Sequence, residues 1–162
     1  MENGDGVFSI SICPPSVKMG NQLKIHQKMT STVTYQGDLR TEMTHLESTT
    51  VVLTDAPKDT HGKGEAFSPT DLVATALGAC MLSIMGIYAR QHDIDIVGTQ
   101  VDITKTMALN PRRIARIEAT ITMPPSGNYS EKERKALENA ALTCPVAKSL
   151  SADLAQDVHF VW

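Results

Sequence analysis

The stretch Ser68-Pro69-Thr70-Asp71-Leu72-Val73-Ala74-Thr75-Ala76-Leu77-Gly78-Ala79-Cys80 decides how this chain folds. Ser68 is a good N-cap, Pro69 suits the first helical position, and Asp71 lies near the positive end of the helix dipole. Val73, Ala76, Leu77, Cys80, Ile84 and Ile87 recur at helical spacing as one apolar stripe. Thr75, Gly78, Leu82 and Gly86 make a second stripe, mostly of small residues. A helix apolar on two sides is buried rather than laid on a surface. The small side would admit the close approach of another backbone, and a second copy of the chain is the expected neighbour. From residue 72 to residue 89 run 18 residues without a formal charge, the lower edge of a membrane-spanning length. Thr75, Gly78, Ser83 and Gly86 dilute that run and Asp71 and Arg90 bracket it, so the expectation is a buried helix and no membrane.

Working outward, the sequence upstream reads as β. Thr32-Val33-Thr34-Tyr35 is followed by a turn at Gln36-Gly37-Asp38, then by residues 40–46 and by Val51-Val52-Leu53. Residues 55–64 read as loop. Before this, Val7-Phe8-Ser9-Ile10-Ser11-Ile12 has strand character and stops at Pro14-Pro15, so residues 1–30 are treated as an extension to a single domain at 31–162. Downstream, Val101, Ile103 and Lys105 alternate with Gln100, Asp102 and Thr104. Ile117, Ala119, Ile121 and Met123 alternate with Arg116, Glu118, Thr120 and Thr122, the pattern of a half-buried strand. Asn110-Pro111 marks the turn between the two. Ser130-Glu131-Lys132-Glu133 is a capping box opening a helix to about Leu142. A short helix follows Thr143-Cys144-Pro145, and residues 157–162 read as a last strand. The order is β-hairpins, long helix, β-hairpin, two helices and strand, which is α+β.

Composition narrows the function classes. The chain has 162 residues and is 41% hydrophobic, enough for one core, but only 4% aromatic. Its net charge of −3, without a basic block, argues against nucleic-acid binding. Three cysteines are too few for a secreted disulfide framework. Met1-Glu2-Asn3-Gly4-Asp5 lacks the basic start of a signal peptide, so a reducing cytoplasm is expected. His26, His45, His61, His92 and His159 show no HxxH or HExxH spacing, and no metal site is expected.

The chemistry-bearing residues are Cys80 and Cys144, 64 positions apart and no CxxC motif. Read locally, Cys80 is first of all a small core residue, and Cys144 a stand-in for Ser or Thr at a helix entrance. An ordinary thiol of pKa about 8.5 is roughly 3% ionised at neutral pH, and burial lowers that fraction further. Cys80 lies about 18 Å of rise from the helix start, out of reach of the dipole. To react as a thiolate it needs a nearby cation: Arg40, or one of Arg112, Arg113 and Arg116. Cys144, beside Pro145 at a helix N-terminus, is by local physics the better thiolate.

The run from Ser68 to Cys80, followed by Met81-Leu82, resembles the first-cysteine helix of the OsmC/Ohr family of peroxide-reducing proteins. Cys144-Pro145-Val146-Ala147 resembles its second-cysteine motif. Tyr35-Gln36-Gly37-Asp38-Leu39-Arg40-Thr41 and Thr54-Asp55-Ala56-Pro57 look like the family's N-terminal hairpin and the loop after it, so the resemblance covers residues 32–162. It implies an OsmC-like α+β fold, with sheets wrapped around long central helices in an intertwined homodimer. The implied activity is reduction of organic hydroperoxides to alcohols without a cofactor. Cys80 would form a sulfenic acid, Cys144 would resolve it as a disulfide, and an external dithiol, dihydrolipoyl in the family, would reduce that disulfide. An Arg and a Glu support the first cysteine in the family. Arg40 matches the first, but Thr70 stands where the Glu is expected, ten residues before Cys80, leaving Glu65 or Asp71 as substitutes. That departure keeps open a non-catalytic OsmC-like protein that binds a small molecule, and a thiol redox sensor. Cys13 matches nothing and reads as a bystander.

Overall fold

A computed structural model describes residues 28–162; the strand expected near Val7 and the position of Cys13 lie outside them. Three strands, β1 (Ser31–Gly37), β2 (Arg40–His45) and β3 (Val51–Asp55), form an antiparallel meander. A 3-10 turn at Lys58–Thr60 leads to α1 (Pro69–Gln91). The hairpin β4 (Gln100–Leu109) and β5 (Arg112–Thr122) follows, then α2 (Glu131–Leu142), α3 (Pro145–Ser149) and β6 (Ala155–Val161). β6 returns parallel to β5, so the second sheet runs β4-β5-β6. The parallel pairing follows from the α2–α3 crossover, since a parallel neighbour needs a long connection.

Each helix starts where its cap dictates. The Ser68 hydroxyl accepts from the Asp71 N–H while the Asp71 carboxylate accepts from the Ser68 N–H, and Ser130 and Glu133 repeat the arrangement for α2. Both are capping boxes, each cap contributing about 1 kcal/mol.

The core lies between α1, the second sheet and α2. Ile117, Ala119, Ile121 and Met123 all point inward and are buried, as their alternation predicts. From α2, Leu137 and Ala141 join them, and Leu77, Met81 and Met85 of α1 complete the cluster.

The face that α1 buries differs from the two stripes read in sequence. Its buried line is Ala74, Leu77, Gly78, Met81, Met85 and Ala89, whereas Val73 and Ile87 are 41% and 45% exposed. Periodicity could not choose, because the helix is apolar nearly all round. Gly78 is where α1 comes closest to β4: a Cβ there would stand 2.9 Å from Ile103 Cδ1 and 3.0 Å from Val101 Cγ1. The close approach expected for a second copy is thus used, at Gly78, within the chain. A Cβ on Gly86 meets nothing.

The first sheet packs hardly at all on α1 or on the second sheet. Val33 and Tyr35 share one of its faces and are 62% and 64% exposed. Together with Val73 and Ile87 on α1, they leave two apolar surfaces uncovered. By length and composition α1 could cross a membrane; a third of its apolar window (33%) is buried in the fold.

Gly78→Leu should therefore destabilise the subunit itself by about 1–3 kcal/mol through overpacking against β4. Gly86→Leu should leave urea unfolding of the subunit unchanged. Equal losses from both variants would contradict this placement of α1.

Candidate active site

Cys80 sits three turns into α1, half-buried and packed against the core cluster. Cys144 closes α2 and opens α3. Its N–H donates to Ala141 O at 3.2 Å, and as N-cap of α3 its Sγ accepts from the Ala147 N–H at 3.4 Å. It is fully buried, with 0% exposure. The packing of α3 on α1 brings the two thiols close enough that Cys80 bears on the ionisation of Cys144, and both are free. Sixty-four residues of sequence separation thus become one site.

The electrostatics reverse the local expectation for Cys144. Burial pushes its thiol up from the ordinary value. The Ala147 N–H opposes that shift, but the neighbouring Cys80 adds to it. A helix of five residues offers too little dipole to overcome desolvation. Cys144 is held as a neutral thiol.

Arg40 opens β2, directly across the register from Asp55 at the end of β3. Its Nε donates to Asp55 Oδ1 at 2.7 Å and its Nη2 to Asp55 Oδ2 at 2.8 Å. Nη2 also donates to Glu65 Oε2 at 2.8 Å. Asp55 is 1% exposed and accepts in addition from the Glu65 N–H at 3.0 Å. The bidentate Arg40 pair draws the Asp55 carboxyl down to about 2 against the cost of its burial, with the Glu65 and Ala66 N–H groups helping. The same carboxylates raise Arg40, which stays a cation.

Sequence reasoning placed Asp55 at the head of a loop. The structure makes it the last strand residue and a buried hub, its own N–H donating to Phe67 O at 3.1 Å. Counting back along the hairpin from the turn would have paired Asp55 with Arg40, the one available signal.

The other acid considered, Asp71, belongs elsewhere. Lys105, on the inward face of β4, donates to Asp71 Oδ1 at 2.8 Å, to Thr70 Oγ1 at 2.6 Å and to Ser68 Oγ at 3.2 Å. Burial works against the Asp71 anion, but Lys105 and Ser68 outweigh it and hold its pKa low. Thr70, where the resemblance predicts a Glu, is a lysine acceptor. Asp71 and Lys105 border a cleft of about 650 Å3 lined also by Glu65, Phe67, Thr75 and Ile103.

The fold thus brings together Cys80 with Cys144 and, separately, Arg40 with Glu65. Among the described residues, the hydrogen bonds of the Arg40 side chain go to Asp55 and Glu65 and to neither cysteine. Of the other arginines considered, Arg112 pairs with Asp59 at 3.0 Å and Arg116 pairs with Asp157, the exposed strand face their spacing implies. Among the described residues no group of three His, Cys, Asp or Glu side chains is placed to hold a metal.

The sequence profile of the family described as OsmC-like protein matches residues 62–157, a span that includes both cysteines. The chain belongs to the OsmC-like family. A crystal structure from Psychrobacter arcticus, named for osmotic stress and a detoxification response, is 51% identical. It superposes with a TM-score of 0.79, covering 85% of this chain and 99% of that one. An organic hydroperoxide resistance protein of Legionella pneumophila shares the fold at 15% identity, with a TM-score of 0.66 over 83% of this chain and 98% of the other. The organic hydroperoxide resistance protein of Bacillus subtilis does so at 16% and 0.57, over 82% and 98%. No curated protein sequence matches this OsmC-like chain.

Two outcomes follow from the site geometry. Brief iodoacetamide treatment of the native, reduced protein should label Cys80 before Cys144, read by peptide mass spectrometry. Cys144 should label only on denaturation. A carboxylate with a depressed folded pKa stabilises above its unfolded value of about 3.8 and loses that contribution as the pH falls toward 2. Urea unfolding between pH 5 and 2.5 should show the wild type losing more stability on acidification than Asp55→Asn.

Proposed function

We propose that this OsmC-like protein is a thiol peroxidase that reduces organic hydroperoxides. The observation that supports the reading is that α1 and α3 pack together and bring Cys80 and Cys144 to one core cluster, near enough for Cys80 to help raise the Cys144 thiol. The Cys80 thiolate attacks the distal peroxide oxygen. An S–O bond forms as the O–O bond breaks, sulfur is oxidised to sulfenic acid, and the alkoxide takes a proton and leaves as an alcohol. The Cys144 sulfur then attacks the sulfenic sulfur, its thiol proton leaving with the displaced hydroxide as water, and the disulfide forms. An external dithiol returns both sulfurs to thiols by exchange; a dihydrolipoyl group, as in the family, fits this role. This division of labour agrees with the half-exposure of Cys80 and the full burial of Cys144.

The working form in this proposal is a homodimer in the cytoplasm. The uncovered apolar residues Val33 and Tyr35 on the first sheet, and Val73 and Ile87 on α1, supply the surface a second copy would bury. Because Arg40 does not reach the cysteines of its own chain, it would assist Cys80 of the other copy, with Glu65 beside it.

Stopped-flow mixing of the reduced protein with cumene or tert-butyl hydroperoxide tests the cycle. Two thiols should disappear per peroxide consumed, and Cys80→Ser should abolish the reaction. Cys144→Ser should stop at a sulfenic acid that dimedone traps. No oxidation at millimolar peroxide would remove the proposal. In that event the 650 Å3 cleft favours the small-molecule-binding alternative, which native mass spectrometry would reveal as a retained ligand.

A further inference from the structure

A guanidinium carries five N–H donors, one on Nε and two on each terminal nitrogen. In Arg40 three of them are committed: Nε and one Nη2 donor to Asp55, the second Nη2 donor to Glu65. Both Nη1 donors are without a partner among the described residues. The two carboxylates that hold the group are not equivalent. Asp55 is 1% exposed, faces Arg40 across the strand register, and is itself anchored by the Glu65 N–H at 3.0 Å. The Glu65 side chain is 66% exposed and exchanges its Arg40 contact for water at little cost. A bidentate grip on Nε and Nη2 fixes the plane of the guanidinium as well as its position.

We infer that Asp55 is the positioning residue of the peroxidase site: it grips Arg40 from behind so that Nη1 alone donates to the reacting sulfur or peroxide oxygen. The inference rests on the peroxidase reading above and deepens it. It assigns to a strand-end aspartate the work for which the resemblance predicts a glutamate at the Thr70 position. Glu65 is an auxiliary contact, and Asp71, committed to Lys105, takes no part. Asp55 touches neither substrate nor sulfur, so everything it does for the reaction passes through Arg40. Nη1 bears on the attack step by donating to the oxygen that gains negative charge as the O–O bond breaks, and to the thiolate before it.

The test uses the full-length reduced protein with Arg40→Met, Asp55→Asn, Glu65→Gln and the double variant Arg40→Met/Asp55→Asn. Two quantities are read for each: the rate of Cys80 oxidation by tert-butyl hydroperoxide, and the pH profile of Cys80 alkylation by iodoacetamide. Asp55→Asn should slow oxidation by about 10- to 100-fold, the penalty of a misplaced catalytic group, and should move the alkylation midpoint upward as Arg40→Met does. Glu65→Gln should lose less than Asp55→Asn in both readouts, because its contact with Arg40 is open to water. The double variant should be no slower than Arg40→Met alone, whereas a purely structural role for Asp55 would multiply the two losses. Should Asp55→Asn fail to fold, Asp55→Glu keeps the buried charge but moves the grip by a methylene, and it should lose rate in the same way. A folded Asp55→Asn or Asp55→Glu protein with wild-type rate and profile overturns the inference, as does a multiplicative double variant. Wild-type Cys80 inert to peroxide would instead overturn the peroxidase reading. The alkylation profiles would then still report whether Asp55 acts on Cys80 through Arg40.

Discussion

Everything in this fold hangs on how α1 is covered. A helix of 23 residues, apolar nearly all round, loses free energy wherever it meets water, at roughly 25 cal/mol for each Å2 of apolar surface. One line of it, from Ala74 to Ala89, is covered by β4, β5 and α2. The absence of a side chain at Gly78 lets β4 approach closely enough to seal that contact. The opposite side carries Val73, Cys80 and Ile87 and is covered only where α3 reaches it. Cys80 therefore sits at the boundary between the sealed core and the uncovered apolar surface.

That placement explains how two chemically similar thiols become different. Cys144 caps α3, where an N–H donor to sulfur would ordinarily favour the thiolate. The same position lies under the core, and desolvation outweighs the single donor. Cys80 lies in mid-helix, without cap or dipole, but at the half-open face. Burial, more than local sequence, separates the surroundings of the two thiols.

The cation is prepared at a distance from the sulfurs. Arg40 and Asp55 face each other across two strands joined by the short connection 46–50, and the Glu65 and Ala66 N–H groups anchor the aspartate. The first sheet is thereby tied to the segment entering α1, although it scarcely packs on the rest of the chain.

Much of this was legible beforehand. Both capping boxes, the β5 alternation and the α+β order depend on residues close in sequence, where propensity and periodicity act directly. The pairing of Cys80 with Cys144 came from family resemblance, since spacing cannot say that two helices meet. Three things were decided only by tertiary structure. The buried face of α1 was chosen by which side β4 could approach, because an all-apolar helix has no preferred side by itself. The upward push on the Cys144 thiol was set by desolvation, which a linear chain does not reveal. Asp55, read as loop, became the arginine's partner because strand register, a long-range property, laid it opposite Arg40.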